Sequence, residues 1–243
     1  LGYHGYEDFK ADFLKEVYYL DTHFKNIDPN FPFVKTDNIQ KIASKVTLLA
    51  QETLSDTLAL LEHDNLQKAL RIMQKANQIH LAAISYSLLL GQIFKLDMLR
   101  IGKNVNICNT NGEELFLPAV IKNNDFIIII SYSGEIHNLC SLARTLKGRS
   151  VPIIAITSLG DNELKKYADV VLHISTREKL YSKIAGYSNE NSIKLILDIL
   201  YSCYFNLMYD DNLARRIAIS KQAEVGREST LEIMKEDNTQ SGT

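Results

Sequence analysis

The feature that most narrows what this chain can fold into is a series of five short apolar runs, at residues 79–84, 105–108, 126–130, 151–156 and 170–174. Runs this short, rich in Ile and Val, fit strands buried on both faces. Between them, residues 87–100, 113–121, 135–146 and 161–167 carry apolar side chains at the three- and four-residue spacing of amphipathic helices. Strand and helix alternating in this way build a parallel sheet, because each parallel pairing needs a long crossover connection. The expected fold class is therefore α/β, a doubly wound five-stranded parallel sheet with helices on both faces. Residues 191–208 and 212–223 read as a closing helix pair, and the polar tail from Lys235 as disordered.

Ahead of the sheet, Ile39, Ile42, Ala43, Val46, Leu49, Ala50, Thr53, Leu54, Leu58 and Leu61 repeat at helical spacing. A long helix is expected over residues 39–61, capped by Asp37 or Asn38. Its broad apolar stripe exceeds what one sheet face covers, which predicts packing against a second copy of the chain. Asp64 or Asn65 opens another helix, with Leu66, Ala69, Leu70 and Met73 along one face. The stretch Asp28-Pro-Asn-Phe-Pro-Phe33 holds two prolines and reads as a linker, so residues before about 36 form a separate piece.

Composition excludes several function classes. A chain of 243 residues that is 46% hydrophobic, with only 4 Pro and 11 Gly, is neither disordered nor a collagen-like repeat. Its 27 basic and 29 acidic side chains leave a formal charge of -2, which gives the chain as a whole no electrostatic pull toward nucleic acid or an anionic membrane. The longest apolar run, Phe126 to Ile130, falls far short of the ~20 residues that cross a bilayer, and no cationic-then-apolar leader stands at the start. A cytoplasmic protein with no membrane partner is expected. Cys108, Cys140 and Cys203 are widely spaced among apolar residues and read as free thiols. The six histidines show no paired ligand spacing, so neither a metal nor a cofactor is expected. The chain starts at Leu1 rather than methionine, and an upstream segment is expected to be missing.

In an open parallel sheet, a ligand binds beyond the carboxyl ends of the strands, where loops enter helix N-termini. The third run continues Ser131-Tyr132-Ser133-Gly134-Glu135. Two hydroxyls flank one residue, Gly134 permits a turn with positive φ, and a helix opening at Glu135 presents unpaired N–H groups and its positive dipole end. That set suits a phosphate monoester. The plainer reading makes Ser133 a helix cap and Ser131 the end of the strand. The first run leads into Ser85-Tyr86-Ser87, and the fourth into Thr157-Ser158-Leu159-Gly160 ahead of Asp161 or Asn162 as a cap, so three strand ends carry hydroxyls. Neither the phosphate loop of nucleoside triphosphatases nor the glycine pattern of dinucleotide enzymes is present.

Ser131-Tyr-Ser-Gly-Glu135 at the end of an apolar strand, Asp125 before it, and Ile153-Ile-Ala-Ile-Thr157 after the next helix resemble the SIS (sugar isomerase) domain. The resemblance spans residues 64–208. Leu96-Asp-Met-Leu-Arg-Ile-Gly-Lys103, Thr176-Arg-Glu178 and Leu197-Asp-Ile-Leu-Tyr201 resemble the effector-binding half of RpiR-type transcriptional regulators, and Leu1-Gly-Tyr-His-Gly-Tyr-Glu-Asp-Phe9 the close of their helix-turn-helix domain. The resemblance implies a helix-turn-helix remnant at 1–25, a linker and long helix at 26–63, a phosphosugar-binding SIS domain at 64–210, and a C-terminal helix and tail at 211–243. It implies a phosphorylated-sugar effector, operator DNA contacted through an N-terminal domain mostly absent from this chain, and a homodimer or tetramer. By position, Ser131 and Ser133 with Tyr132 between them, Gly134 and Glu135 hold the phosphate. Ser85, Tyr86 and Ser87 close it from the first loop, and Glu190 reaches the sugar. An exposed first-turn acid stabilised by the helix dipole is the other reading of Glu190.

The sequence departs from that family in its first loop, where Ala83 and Ser85 replace glycines and Tyr86 a small residue, and at Ile136, where the family has threonine. Side chains then stand where backbone normally approaches the ligand. Two other functions stay open. One is an aldose–ketose isomerase of sugar phosphates with Glu135, Glu190 or His137 as its base; the other is a dimerisation module whose pocket has decayed.

Overall fold

The structure, a computed structural model, describes residues 26–108 and 112–235 together with Tyr6, Glu7, Lys10 and Leu14. Apart from those four positions, the expected helix-turn-helix remnant lies outside the described residues, as does the tail beyond Lys235.

Strands β1 (Ile79–Ala82), β2 (Val105–Ile107), β3 (Phe126–Ser131), β4 (Ile153–Thr157) and β5 (Val170–His173) form one sheet in the order β2-β1-β3-β4-β5, every pair parallel. Each grew from one of the five apolar runs. The chain leaves β1 after Ala82, so Ala83 and Ile84 belong to the following loop rather than to the strand. Central strand β3 is buried along its whole length. Its side chains alternate between two cores. Phe126, Ile128 and Ile130 pack with Phe94 and Met98 of α3 (Ser85–Arg100) and with Ile193, Ile196 and Leu197 of α6 (Tyr187–Asn206). Ile127 and Ile129 pack with Leu117 of α4 (Leu117–Val120) and with Leu139, Leu142 and Leu146 of α5 (His137–Gly148). Helices therefore cover both faces, and each fully buried Ile or Leu contributes about 1.5–3 kcal/mol through removal from water.

Ahead of the sheet stand α1 (Ile39–Leu60) and α2 (His63–Lys75), and α7 (Tyr209–Ala223) follows α6. Asn38 caps α1, its Oδ1 accepting from the Lys41 N–H at 2.9 Å. No side chain caps α2, where Asn65 instead donates to Glu62 Oε2 at 2.8 Å. The helix expected at 113–121 divides into a 3-10 turn (Glu113–Leu115) and the short α4, since Pro118 has no N–H to extend the preceding turn. That expected at 161–167 reduces to a 3-10 turn over Leu164–Tyr167. No described helix is long and apolar enough to cross a membrane. Cys108 and Cys140 are buried and Cys203 is half-buried.

The buried face of α1 keeps Leu49 and Thr53 of the predicted stripe and turns from the rest of it toward Asp56 and Thr57. Leu49, Thr53, Asp56 and Thr57 are covered, whereas Ile39 and Leu58 are exposed. Its partner within the chain is α6, met through hydroxyls: Thr53 Oγ1 lies 2.8 Å from Ser188 Oγ, and Thr57 Oγ1 donates to Ser192 Oγ at 2.8 Å. Small side chains on both helices permit this close seam, and Ser192 Oγ also accepts from the Ser175 N–H at 2.9 Å, tying the pair to the end of β5.

Candidate functional site

The sheet order places the topological switch between β1 and β3, whose following helices lie on opposite faces. A crevice forms where adjacent loops diverge in this way. The loops on either side of it are those carrying Ser85–Ser87 and Ser131–Glu135.

The β3 loop is a self-bonded turn. Ser131 Oγ accepts from the Gly134 N–H at 3.1 Å, and Ser133 Oγ from the Glu135 N–H at 3.2 Å. A hydroxyl oxygen that accepts keeps its own proton to donate, so each serine passes the polarity of a backbone N–H outward. Ser131 is buried and acts as a buttress, while half-buried Ser133 is placed to donate to a ligand. Neither serine caps α5. That helix begins at His137 rather than Glu135, and its N-cap residue, Ile136, makes no side-chain cap hydrogen bond. A helix N-terminus without such a cap is a place where backbone N–H groups and the positive dipole end can meet an anion.

Gly134 is required twice over. Its φ is +68°, and a Cβ there would stand 2.1 Å from Asn162 Cγ. Asn162, 4% exposed, donates to Thr157 Oγ1 and to the Gly160 carbonyl, both at 3.2 Å, and accepts from the Lys165 N–H at 3.2 Å. The Leu164 N–H closes the contact on the Gly134 carbonyl at 3.0 Å. The hydroxyl loop after β4 therefore supports the cradle from behind rather than lining it. Glu135 joins the same support, its Oε1 accepting from the Glu163 N–H at 2.8 Å. Sequence reading saw Asn162 only as a cap; its packing on Gly134 depends on a strand pairing that no local pattern encodes.

On the other side, α3 starts at Ser85 without a side-chain cap. Ser85 holds a φ of +53°, the left-handed conformation that a glycine would adopt freely at this position. The replacement thus leaves a side chain on left-handed backbone. Tyr86 is 63% exposed and turned to solvent rather than filling the crevice; Ser87 is half-buried.

Tyr132, between the two serines, points away into the protein. Its hydroxyl donates to the Glu178 carbonyl at 2.6 Å and accepts from the Glu178 N–H at 3.0 Å, and burial pushes the phenol above its usual range. Glu178, its carboxylate fully buried, lies at the head of α6. There Oε1 accepts from the Ser188 N–H at 2.5 Å and the Asn189 N–H at 3.2 Å, and Oε2 from Lys183 Nζ at 2.8 Å. The N-terminus of α6 is therefore occupied by an anion of the chain itself. Lys183 Nζ also sits 5.4 Å from the centroid of the Tyr132 ring. Glu190, in the first turn of α6, is half-buried rather than exposed, and its carboxyl lies against Gly186. Burial, then the neighbouring Glu178, raises its pKa, the opposite of simple dipole stabilisation. Glu178 and Lys183 were not singled out from the sequence as site residues.

Residues 72–201, more than half of the chain, match the family model of the SIS domain. The chain belongs to the SIS-domain family. An uncharacterised HTH-type transcriptional regulator from Clostridium perfringens is 22% identical over 218 residues, 89% of this chain and 76% of that protein. Among solved structures, the Vibrio vulnificus NanR protein complexed with ManNAc-6P is 17% identical, covers 91% of this chain and 77% of its own, and superposes with a TM-score of 0.69. The SIS domain of an RpiR transcription factor from Sphaerobacter thermophilus is 16% identical over 75% of this chain and 99% of its own, with a TM-score of 0.65. A phosphoheptose isomerase from Neisseria gonorrhoeae shares the SIS fold as well, at 15% identity over 70% of this chain and 100% of its own, TM-score 0.59. Among the described residues, no group of three His, Cys, Asp or Glu side chains is placed to hold a metal ion in this SIS domain.

Proposed function

We propose that this SIS domain senses a phosphorylated sugar and controls DNA binding by a helix-turn-helix domain joined to its N-terminal side. The observation that carries the reading is the switch-point crevice, where two hydroxyl-bearing loops each run into a helix whose first turn lacks a side-chain cap. The regulator relative and the NanR and RpiR neighbours support the regulatory half. In this reading, Ser133 and Ser87 donate hydroxyl protons to phosphate oxygens, the α5 N-terminus supplies N–H groups, and Ser131, Gly134 and Asn162 hold the turn. Tyr132 and Glu135 act from behind the turn, Ser85 and Tyr86 border the crevice, and Glu190 meets a sugar hydroxyl. The ligand acts by binding one arrangement of the protein better than another, since equal affinity for both would shift nothing.

Calorimetric titration with hexose, N-acetylhexosamine and pentose phosphates tests the reading. At least one compound is expected to bind, and Ser133→Ala to weaken it by roughly 10- to 100-fold, the usual worth of a hydrogen bond to a charged group. No binding by any compound, or an unchanged affinity in Ser133→Ala, overturns the cradle.

One observation favours the isomerase as a second reading: the Glu190 carboxyl is half-buried in the first turn of α6 rather than spread into solvent, as a proton-transferring base would be. Turnover of an aldose phosphate to its ketose, abolished in Glu190→Gln, would establish that enzyme; the sensor reading expects none.

A further inference from the structure

Residues 177–184 follow β5 and bond to four separate parts of the protein. Toward the cradle, the Glu178 backbone exchanges both of its hydrogen bonds with the Tyr132 hydroxyl. Toward α6, the Glu178 carboxylate holds the first turn. Toward α1, buried Arg177 pairs with Glu52 at 3.1 Å. Toward the linker, Arg177 donates to the Ile27 carbonyl at 3.1 Å, the Lys179 N–H to Asn30 Oδ1 at 2.7 Å, and the Ile184 N–H to the Asn30 carbonyl at 2.9 Å. Asn30 is 7% exposed and is itself fixed by Asp28, whose Oδ1 accepts from its N–H at 2.8 Å. The proline-bearing linker is thus not a loose tether. It is clamped to a loop that is also clamped, through Glu178, to the residue between Ser131 and Ser133.

We infer that the 177–184 loop is the coupling element of this domain, with Tyr132 as its positioning residue toward the cradle and Asn30 toward the linker. The inference rests on the phosphosugar reading for what triggers it, but not for the wiring itself. Tyr132 lies inside the turn that an anion on Ser133 would tighten, so a displacement of that turn moves the phenol. The phenol holds both backbone groups of Glu178, one residue from the amide bonded by Asn30. Coupling of this kind requires a contiguous element with two arrangements that both ends bias. A short loop held by paired hydrogen bonds to Tyr132 and to Asn30, and resting on the N-terminus of α6, supplies the contiguous element.

Residue-resolved amide exchange on the whole chain tests it first without ligand. Tyr132→Phe removes only the hydroxyl and keeps the ring beneath Lys183. Exchange is expected to rise at least threefold at Glu178 and also at Lys179, Ile184 and Asn30. A rise at Glu178 alone, with the linker amides unchanged, overturns the relay. Should Tyr132→Phe lose cooperative unfolding, Asn30→Ala decides in the opposite direction, by faster exchange at Glu178. With N-acetylhexosamine 6-phosphate as probe, the wild type is expected to alter exchange at residues 26–30, and Asn30→Ala to lose that response while keeping its affinity for the probe. A linker response that survives in Asn30→Ala overturns the inference. If neither this probe nor any other sugar phosphate binds, the effector reading falls, and the unliganded exchange still settles the relay.

Discussion

Ser85 holds a left-handed backbone, at a cost of about 1–2 kcal/mol to an L-residue, where a glycine would bear none. The sequence showed that the glycines of the family's first loop were replaced, and the expectation was a narrowed approach to the ligand. The structure locates the consequence differently: Tyr86 turns to solvent and the replacement at Ser85 appears as local strain, because the loop is fixed at one end by β1 and at the other by α3 packing on the sheet. Ser85→Gly is accordingly expected to stabilise the protein by about 0.5–1 kcal/mol. For a chain of this length that corresponds to a Tm increase of roughly 1–4 °C by calorimetry. A lowered Tm would show that the Ser85 side chain supports the loop, against this account. Gly134 illustrates the other side of legibility. Its positive φ was readable from the Ser-Gly-Glu context, but its contact with Asn162 was not, since the two are brought together only by the pairing of Ser131 with Thr157 across β3 and β4.

Among the elements, the strands were the most legible, for a plain reason: a strand covered on both faces must be apolar throughout, and that leaves an uninterrupted run in the sequence. Helix α1 was legible in extent but not in orientation. Of the stripe its periodic residues suggested, the structure buries Leu49 and Thr53 and adds Thr57, with Thr53 and Thr57 against Ser188 and Ser192, residues 135 positions away in each case. Hydroxyl pairs at such separation leave no periodic trace. The seam also makes a prediction that the stripe would reverse. Thr57→Val keeps the shape but removes the donor to Ser192, and should cost about 1–3 kcal/mol in denaturant unfolding. Leu58→Ser, at a position 64% exposed, should fall within about 0.5 kcal/mol of the wild type. A larger loss at Leu58 than at Thr57 would restore the sequence-based orientation. Exposed Ile39, Leu54 and Leu58 remain the part of α1 on which the expected second copy would have to pack.

At the scale of the whole molecule, the docked linker joins the N-terminal segment to the same body as the crevice, which composition alone, with its two prolines, could not disclose. What the whole molecule does with pH follows from two histidines outside the crevice. His80 is 5% exposed in β1, its Nε2 3.6 Å from Asp125 Oδ2, and burial holds its pKa below the ordinary 6.5 against the pull of that carboxylate. His173, at the end of β5, is lowered by burial and then by Lys165. Both are therefore neutral in the fold at a pH where the unfolded chain has begun to protonate them. Below about pH 6.5 the unfolded state binds more protons, so stability present above that pH declines as pH falls, by at most about 1.4 kcal/mol per pH unit for each imidazole. Glu190 acts with the opposite sign: its raised carboxyl takes up a proton more readily in the fold and contributes more as pH falls. The difference between wild type and His80→Gln isolates the imidazole. Unfolding free energies measured from pH 7.5 to 5.5 should decline more steeply for the wild type than for His80→Gln, and parallel curves would mean that His80 takes up its proton equally well in both states.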